Sequence, residues 1–220
     1  DLERIEKLNA LSRRICAEVP EPEEAQRWLK ETTAAVRRYA VWTYYLGNFM
    51  AAAGFCCVFG GTVRDWLWAG VSGLVIGFVT RCMDRLEVNP FFSTMAASFL
   101  MALPAYVAAG LGWLDCVAAV IIGALMLLVP GLLITNSMRD IIYGDTSSGV
   151  SRIVQVLLSA FAIALGTAAA WHVTTPIYGH AETVAALTYP LWAQGIATFV
   201  ACLGFVILFN VHDWGCVLCA

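Results

Sequence analysis

Charged side chains are scarce in this chain of 220 residues, where Asp, Glu, Lys and Arg make up 13% and hydrophobic residues 60%. A soluble domain carries about 25% charged residues, so the composition excludes an ordinary soluble fold. The net charge of −3 and the absence of a basic patch argue against a nucleic-acid partner.

The few charges are concentrated at the start of the chain. Residues 1–39 carry eight acidic and eight basic side chains, and the other 181 residues carry thirteen charges. Apolar residues recur in this segment at helical spacing, and Asp1 can cap the first helix. These apolar positions are Leu2, Ile5, Leu8, Leu11 and Ile15. Pro20 and Pro22 interrupt the pattern, and a second helix is expected from about Glu23 to Arg38.

Residues 1–39 are therefore predicted to form a cytoplasmic amphipathic helical segment, a solvated hairpin at the membrane surface. A regulatory or sensory role is the alternative. The segment has no apolar core, so no secretory signal is expected, and insertion should use the first transmembrane helix.

Long apolar runs fill the rest of the chain. They cover residues 41–60, 66–80, 91–110, 116–135, 153–171 and 187–211. A helix needs about 20 apolar residues to cross the bilayer core. The sequence therefore predicts an all-α polytopic membrane bundle with about six transmembrane helices.

Basic residues in the short loops indicate the orientation. One side of the predicted bundle holds Arg37, Arg38, Arg81, Arg85, Arg139 and Arg152, and the other side holds Arg64. The amino terminus is therefore predicted to be cytoplasmic. The expected organisation is a first five-helix repeat over residues 40–173, an external loop over 174–188 and the start of a second repeat over 189–220.

An internal similarity suggests how the two repeats are related. Six residues of the segment 54–66 align with six of the segment 204–214 if two positions are skipped. The pairs are Gly54 and Gly204, Phe55 and Phe205, Phe59 and Phe209, Val63 and Val211, Asp65 and Asp213, and Trp66 and Trp214. Five helices separate the copies, so the second copy would enter the membrane from the opposite side. Inverted repeats are typical of secondary transporters; a chance match is the alternative.

The densest polar sequence follows Pro130. Proline lacks an N–H group, so it should break the fourth helix and free the carbonyl of Met126, and Gly131 adds flexibility. Broken helices usually face a cavity and often bind substrate or coupling ions. The candidate substrate and proton pathway comprises Pro130, Gly131, Thr135, Asn136, Arg139, Asp140, Asp145, Gly149, Arg152 and Gln155. A proline kink with interfacial charges is the alternative.

Other polar or small residues give weaker signals. Asn48 and Ser98 are expected to form hydrogen bonds between helices. Gly73 and Gly77 suggest close helix packing. Asp115 is expected at the membrane interface, and proton transfer is the alternative role for it. Gly166 is expected to continue the polar stripe of Arg152 and Gln155 on the fifth helix.

No catalytic set is apparent in the sequence. It has no nucleophile constellation, phosphate loop or metal-ligand spacing, so neither an enzyme, a cofactor, a metal nor an ATP-driven pump is expected. Most of the eight cysteines lie in apolar runs, where cysteine acts as a small hydrophobe. Cys216 and Cys219 form an isolated C-x-x-C pair, which argues against redox or metal chemistry.

The main resemblance to a known family is carried by residues 127–131, followed by Asn136, Asp140, Gly144, Asp145, Gly149 and Arg152. This stretch and two others resemble the bacterial threonine/serine exporter (ThrE-like) family. Residues 1–13 resemble the end of the family's cytoplasmic region, and residues 203–211 resemble the opening of its second membrane half.

The resemblance implies a secondary exporter of L-threonine and L-serine in the bacterial inner membrane, driven by the proton gradient. It also implies ten helices in two five-helix halves, either fused or separate subunits. By this resemblance the chain lacks the front of the cytoplasmic region and most of the second half. The expected partners are a small amino acid, protons, the lipid bilayer and a second half.

A zwitterionic substrate requires a donor for its carboxylate and an acceptor for its amine. The candidate donors for the carboxylate are backbone N–H groups at the break or Arg152. The candidate acceptors for the amine are the freed carbonyls and Asp140. Asp140 or Asp145 is the candidate proton carrier. One alternative is a dicarboxylate (succinate-like) exporter, which should need more cationic side chains than Arg139 and Arg152. A second is a non-transporting scaffold or sensor. An intramembrane enzyme is a more remote alternative.

Overall fold

The computed structural model describes residues 2–35, 39–179 and 187–211, and within them every regular element is an α-helix. The helices are α1 Leu2–Glu18, α2 Pro22–Ala34, α3 Val41–Val58, α4 Val63–Arg85, α5 Pro90–Gly110, α6 Val117–Leu125, α7 Gly131–Ile142, α8 Thr146–Tyr178 and α9 Leu191–Leu208. The predicted all-α class is confirmed. Four features of the sequence lie outside the described residues, namely the Asp1 cap, Arg37–Arg38, Asp213–Trp214 and the pair Cys216 and Cys219.

The first two helices form a hairpin whose contacts are largely polar. The Lys7 Nζ donates a hydrogen bond to the carbonyl of Ala35 at 2.8 Å, and the Arg14 guanidinium lies 4.1 Å from the ring centre of Trp28. No described residue of α2 is buried. Such a hairpin has little apolar core of its own.

Five of the described helices, α3, α4, α5, α8 and α9, are long and apolar enough to cross a membrane. The sequence predicted about six. The difference lies in the fourth apolar run, which is divided at Pro130 into the short helices α6 and α7. Proline ends the hydrogen-bond ladder there, so neither piece has the length of a membrane span.

Small residues let the helices approach closely. A Cβ on Gly73 would lie 2.8 Å from the Cβ of Ala52, and one on Gly77 would lie 2.8 Å from the Nδ2 of Asn48. The packing role predicted for these two glycines is confirmed. Gly166 differs from its prediction, because it packs against Ser98 of α5 and does not continue the polar stripe.

Helix α8 is parallel to α5 and much longer. Gly166 lies against Ser98, and Gly110 lies against Tyr178, which fixes the register of the pair. Residues 146–157 therefore project beyond the start of α5, where α7 packs on them. At its other end α8 runs through Tyr178, into the predicted loop 174–188. The hydroxyls of Thr174 and Thr175 donate to carbonyls one turn back, and Gly179, with φ of 76°, ends the helix.

Helices α3 and α9 form an antiparallel pair in which the close contacts of the glycines recur 150 residues along the chain. A Cβ on Gly54 would meet Ala197 and Ala201, and a Cβ on Gly204 would meet Gly47 and Ala51. Both helices have 18 residues, with ends offset by 150. Between residues 39–61 and 189–211, seven identical pairs share this offset, namely Tyr39 and Tyr189, Trp42 and Trp192, Phe49 and Phe199, Ala51 and Ala201, Gly54 and Gly204, Phe55 and Phe205, and Phe59 and Phe209.

The backbone beyond these helices repeats as well. Gly60, after α3, has φ of 82°, and Asn210, after α9, has φ of 56°. Gly61 therefore corresponds to Val211 without a gap. The sequence alignment had paired Val63 with Val211 by skipping two residues. Because both helices end at corresponding positions, the structure corrects that part of the alignment.

Candidate functional site

The break predicted at Pro130 is present as a sequence of tight turns between α6 and α7. The N–H groups of Leu127 and Leu128 donate to carbonyls three residues back instead of four. Pro130 has φ of −79° and ψ of 63°, the geometry of an inverse γ-turn, and the Gly131 N–H donates to the Val129 carbonyl at 2.8 Å. The proline thus redirects the chain and starts α7 along a new path.

A cavity of about 360 Å³ opens beside this break. Its walls come from α3, α4, α9 and the break itself. The lining residues are Tyr44, Asn48, Ile76, Thr80, residues 127–133, Phe205, Leu208 and Phe209. None of these described lining residues is charged, so its polarity comes from the backbone and a few neutral side chains. We call this space the break cavity.

Three neutral polar side chains from α3 and α4 face the break cavity. Asn48 is only 2% exposed, and its Nδ2 donates to the Tyr44 carbonyl at 2.9 Å. Its Oδ1 accepts no hydrogen bond from the described residues. The Tyr44 hydroxyl lies 3.4 Å from the Thr80 hydroxyl, which donates to the Ile76 carbonyl at 2.8 Å.

The first turn of α7 adds backbone donors to the same cavity. The N–H groups of Leu132 and Leu133 make no hydrogen bond within the described part of the chain. The first N–H groups of any helix lack partners in the helix, and together they carry a partial positive charge. An anionic group is therefore favoured at this wall.

A second, more polar pocket of about 640 Å³ lies between α7 and α8. It is lined by Leu133, Asn136, Ser147, Ser148, Ser151, Arg152 and Gln155. Three predicted pathway residues thus meet here, namely Asn136, Arg152 and Gln155. Pro130 and Gly131 line the break cavity instead, and Leu133 lines both spaces.

An ion pair connects α7 to α8 beside this pocket. The Arg152 Nη1 lies 3.2 Å from the Asp140 Oδ2. This distance is short enough for a hydrogen bond, but the donor and acceptor atoms are not aligned for one. The Asp140 Oδ2 is therefore buried without a hydrogen-bond donor. Both side chains are partly solvated, so the pair contributes modestly to stability.

The remaining predicted residues have separate places around the hairpin of α7 and α8. The Thr135 hydroxyl donates to the Gly131 carbonyl at 3.0 Å, which supports the first turn of α7. Arg139 is exposed and lies 5.8 Å from the ring of Tyr143. Gly149 lets α8 approach Ser137, whose carbonyl would lie 3.0 Å from an added Cβ.

Asp145 caps the amino terminus of α8. Its Oδ1 accepts a hydrogen bond from the Ser148 N–H at 3.2 Å. Hydrogen bonding from Ser148 lowers the pKa of this carboxyl, and the charge of Arg152 adds to the effect. Asp145 therefore stabilises the turn between α7 and α8.

Sequence reasoning missed Tyr44 and Thr80 and gave Asn48 a different role. The i, i+4 spacing of Tyr44 and Asn48 would have placed them on one helix face. Nothing in the sequence pairs that face with Thr80 or with the break, because the pairing depends on how α3 packs against α4.

The opposite end of the bundle holds a buried carboxylate that the sequence did not single out. Asp65 is fully buried and forms a capping box with Thr62 at the start of α4. It also accepts N–H bonds from Asp115 at 3.0 Å and Cys116 at 3.2 Å. The Thr62 hydroxyl lies 2.8 Å from the Asp115 Oδ2. Asp65 thus ties the start of α4 to the start of α6.

These features define a polytopic helical membrane protein with an interrupted helix beside a polar cavity. Residues 1–174 match the family described as "Putative threonine/serine exporter". The chain therefore belongs to the threonine/serine exporter family. With bacterial relatives and five apolar helices, it is a bacterial membrane protein.

Two relatives support the family assignment. A probable threonine/serine exporter of Mycobacterium tuberculosis is 27% identical over 169 residues, covering 76% of this chain and 31% of the relative. A threonine/serine exporter of Corynebacterium glutamicum is 25% identical over 167 residues, covering 74% and 34%. The chain spans about a third of the length of these relatives. No solved structure gives a significant match.

Proposed function

We propose that this chain is part of a proton-coupled secondary exporter of threonine and serine. The observation that carries the proposal is the break at Pro130, which opens a cavity with polar groups inside an apolar bundle. Unsatisfied polar groups are costly in a membrane, so they are kept where a ligand or water uses them. The names of the relatives point to the substrate.

The break cavity and the pocket between α7 and α8 provide a route for a zwitterion. The free N–H groups of α7 suit a carboxylate, and Asp140 suits an ammonium group. Asp140 is also the candidate proton carrier, because protonation would remove its attraction to Arg152 at 3.2 Å. Loss of that attraction would loosen α7 from α8 beside the route.

The orientation of the bundle is part of the proposal. Arg81 and Arg85 lie at the end of α4, and Arg139 and Arg152 lie in the projecting hairpin at the same end. Cytoplasmic loops are rich in basic residues. The break cavity then faces the cytoplasm, from which an exporter takes its substrate, and the membrane is the bacterial inner membrane.

A second half, inverted relative to the first, is also inferred. The offset of 150 between α3 and α9 supports an inverted repeat in which α9 opens the second half. On α3, Ala52 and Cys56 are fully buried, whereas the equivalent Cys202 and Val206 of α9 are only half-buried. Helices of the second half would cover this face, whether they are fused to the chain or form another subunit.

Counterflow of radiolabelled threonine tests the proposal. The full-length protein is reconstituted in proteoliposomes, with and without an imposed pH gradient. We expect gradient-dependent flux of threonine and serine, lost in Asp140→Asn and kept in Asp84→Asn, a control at an exposed acid of the same end. Flux of succinate without threonine would indicate a dicarboxylate exporter. Absence of flux with all three would favour a scaffold or sensor.

A further inference from the structure

We propose that Asn48, Tyr44 and Thr80 form a subsite that binds the side-chain hydroxyl of a short hydroxy amino acid. The proposal rests on the proposed function and assigns the part of the break cavity that recognises the substrate. The subsite lies on the α3 and α4 wall of the cavity, and the free N–H groups of α7 lie on another wall.

Asn48 supplies the acceptor of this subsite. Its amide is buried at the membrane-embedded part of α3, and only the NH₂ group has a partner. That partner is a carbonyl, so the assignment of nitrogen and oxygen in the amide follows from the bond. The oxygen is left without a partner in the described structure. Because Asn48 lines the break cavity, this oxygen is open to the cavity, and a ligand hydroxyl there can donate to it.

Tyr44 supplies the donor. Its hydroxyl is 3.4 Å from that of Thr80, beyond the 2.5 to 3.0 Å usual for two hydroxyls. The Thr80 proton is committed to the carbonyl of Ile76 at 2.8 Å. The Tyr44 proton is therefore weakly held and available to a ligand oxygen. An acceptor and a donor that line the same cavity complement an alcohol, which both donates and accepts.

The rest of the cavity limits which molecules can use this subsite. Ile76, Phe205, Leu208 and Phe209 are apolar, and none of the lining residues described is charged. A dianion would find a helix amino terminus but no cationic side chain among these lining residues. Arg81, outside the lining, lies 5.7 Å from the ring centre of Tyr44. A zwitterion with a short hydroxylated side chain matches both the α7 wall and the Asn48 wall.

Gly77 holds the Asn48 amide in place. A Cβ on Gly77 would lie 2.8 Å from the Nδ2 and 3.3 Å from the Oδ1 of Asn48. The glycine lets α4 pack directly on the amide, so the amide keeps one orientation toward the cavity. Such preorganisation is what a site needs to distinguish a hydroxyl from a methyl group of similar size.

Competition in the counterflow assay tests the subsite with pairs of equal size. Threonine is compared with valine, and serine with 2-aminobutyrate, as inhibitors of labelled threonine uptake by the full-length protein. We expect each hydroxylated member to compete about 10- to 100-fold better, the effect of one unsatisfied buried polar group. In Asn48→Leu this preference should fall to about threefold or less, mainly through weaker threonine binding.

Two further variants keep the test decisive. Tyr44→Phe removes only the donor and should also reduce the preference, so it replaces Asn48→Leu if that variant does not fold. Thr43→Val is the control, because the Thr43 hydroxyl donates to the Ala40 carbonyl and does not line the cavity. It should keep the wild-type preference.

The outcomes separate the subsite from the proposed function. Absence of amino-acid flux in the wild type would overturn the proposed function and the subsite together. Flux of threonine with equal competition by valine would overturn the subsite alone. A preference that survives in folded Asn48→Leu and Tyr44→Phe would also overturn it, while export of threonine would stand.

Discussion

Tyr39 and Tyr189 lie at opposite ends of the α3 and α9 pair and make the same hydrogen bond. The Tyr39 hydroxyl donates to the Val211 carbonyl at 3.0 Å, and the Tyr189 hydroxyl donates to the Gly61 carbonyl at 2.9 Å. The two donors are 150 residues apart in the sequence, and so are the two acceptors. Each tyrosine precedes one helix and fastens it to the end of the other.

Removing these two hydroxyls should cost the same stability. We expect Tyr39→Phe and Tyr189→Phe each to lower the free energy of unfolding by about 1 kcal/mol, because each loses one hydrogen bond. The double variant should lose the sum, since distant sites add. Denaturant unfolding in detergent measures this, with Tyr45→Phe as control. A loss confined to one tyrosine would argue against equivalent ends.

The glycines between α3 and α9 should also behave as a pair. A Cβ at Gly54 would lie 2.8 Å from the Ala197 carbonyl, and a Cβ at Gly204 would lie 2.7 Å from the Gly47 carbonyl. Both alanine variants should therefore lower the free energy of unfolding by about 1–3 kcal/mol through overpacking.

Gly195→Ala is the matched control for these two variants, because Gly195 lies on α9 like Gly204. An added Cβ there meets nothing within 4 Å, so alanine should raise the free energy of unfolding by up to about 1 kcal/mol through helix propensity. A stable Gly204→Ala protein beside an unstable Gly54→Ala protein would contradict the symmetry of the pair.

The sequence predicts most of the helices because apolar runs and prolines act locally. Pro22 begins α2, and Pro130 separates α6 from α7. Two features were not apparent from the sequence, for physical reasons. The break at Pro130 was predicted, but the composition of the fourth run does not show that neither part has the length of a membrane span. Helix α8 continues past residue 173 because threonine hydroxyls satisfy carbonyls in its last turns.

The candidate site is less accessible to sequence reasoning because it is formed by packing. Pro130 is visible in the sequence as a helix breaker, but its neighbour across the cavity is Asn48, 82 positions earlier. The sequence gives Asp65 no site role, and its place in the bundle depends on the two N–H groups that the start of α6 brings to it. Such contacts depend on which helices meet.

The cap of α8 should respond to acid. The pKa of Asp145 is lowered in the folded protein by the Ser148 hydrogen bonds. A lowered pKa means that the stabilisation is present above the unfolded value, about 4, and is lost as the pH falls through the folded value. Asp145→Ala should therefore lower Tm at pH 7, and the difference from the wild type should shrink below about pH 4.

Thermal unfolding of the detergent-solubilised protein across this pH range measures the effect. Asp84→Ala is the control, because Asp84 is exposed and its side chain takes part in no hydrogen bond or ion pair of the described structure. Its difference from the wild type should not show this acid dependence. An Asp145→Ala difference that stays constant from pH 7 to about pH 3 would show that the charge of the cap has no role.

The inverse γ-turn at Pro130 should be required for transport. Alanine at this position restores the N–H group and removes the clash with the preceding turn, so α6 can continue toward α7. The free N–H groups of Leu132 and Leu133 would then find partners in the helix and leave the break cavity. We expect Pro130→Ala to reduce threonine counterflow by at least about tenfold, because misplacing binding groups by an ångström has effects of this size. Gly195→Ala is the control and should stay within about twofold of the wild type, since an added Cβ there meets nothing within 4 Å and Gly195 lines neither cavity. If Pro130→Ala transports like the wild type, the break does not form the binding site, and the route between α7 and α8 would have to begin elsewhere.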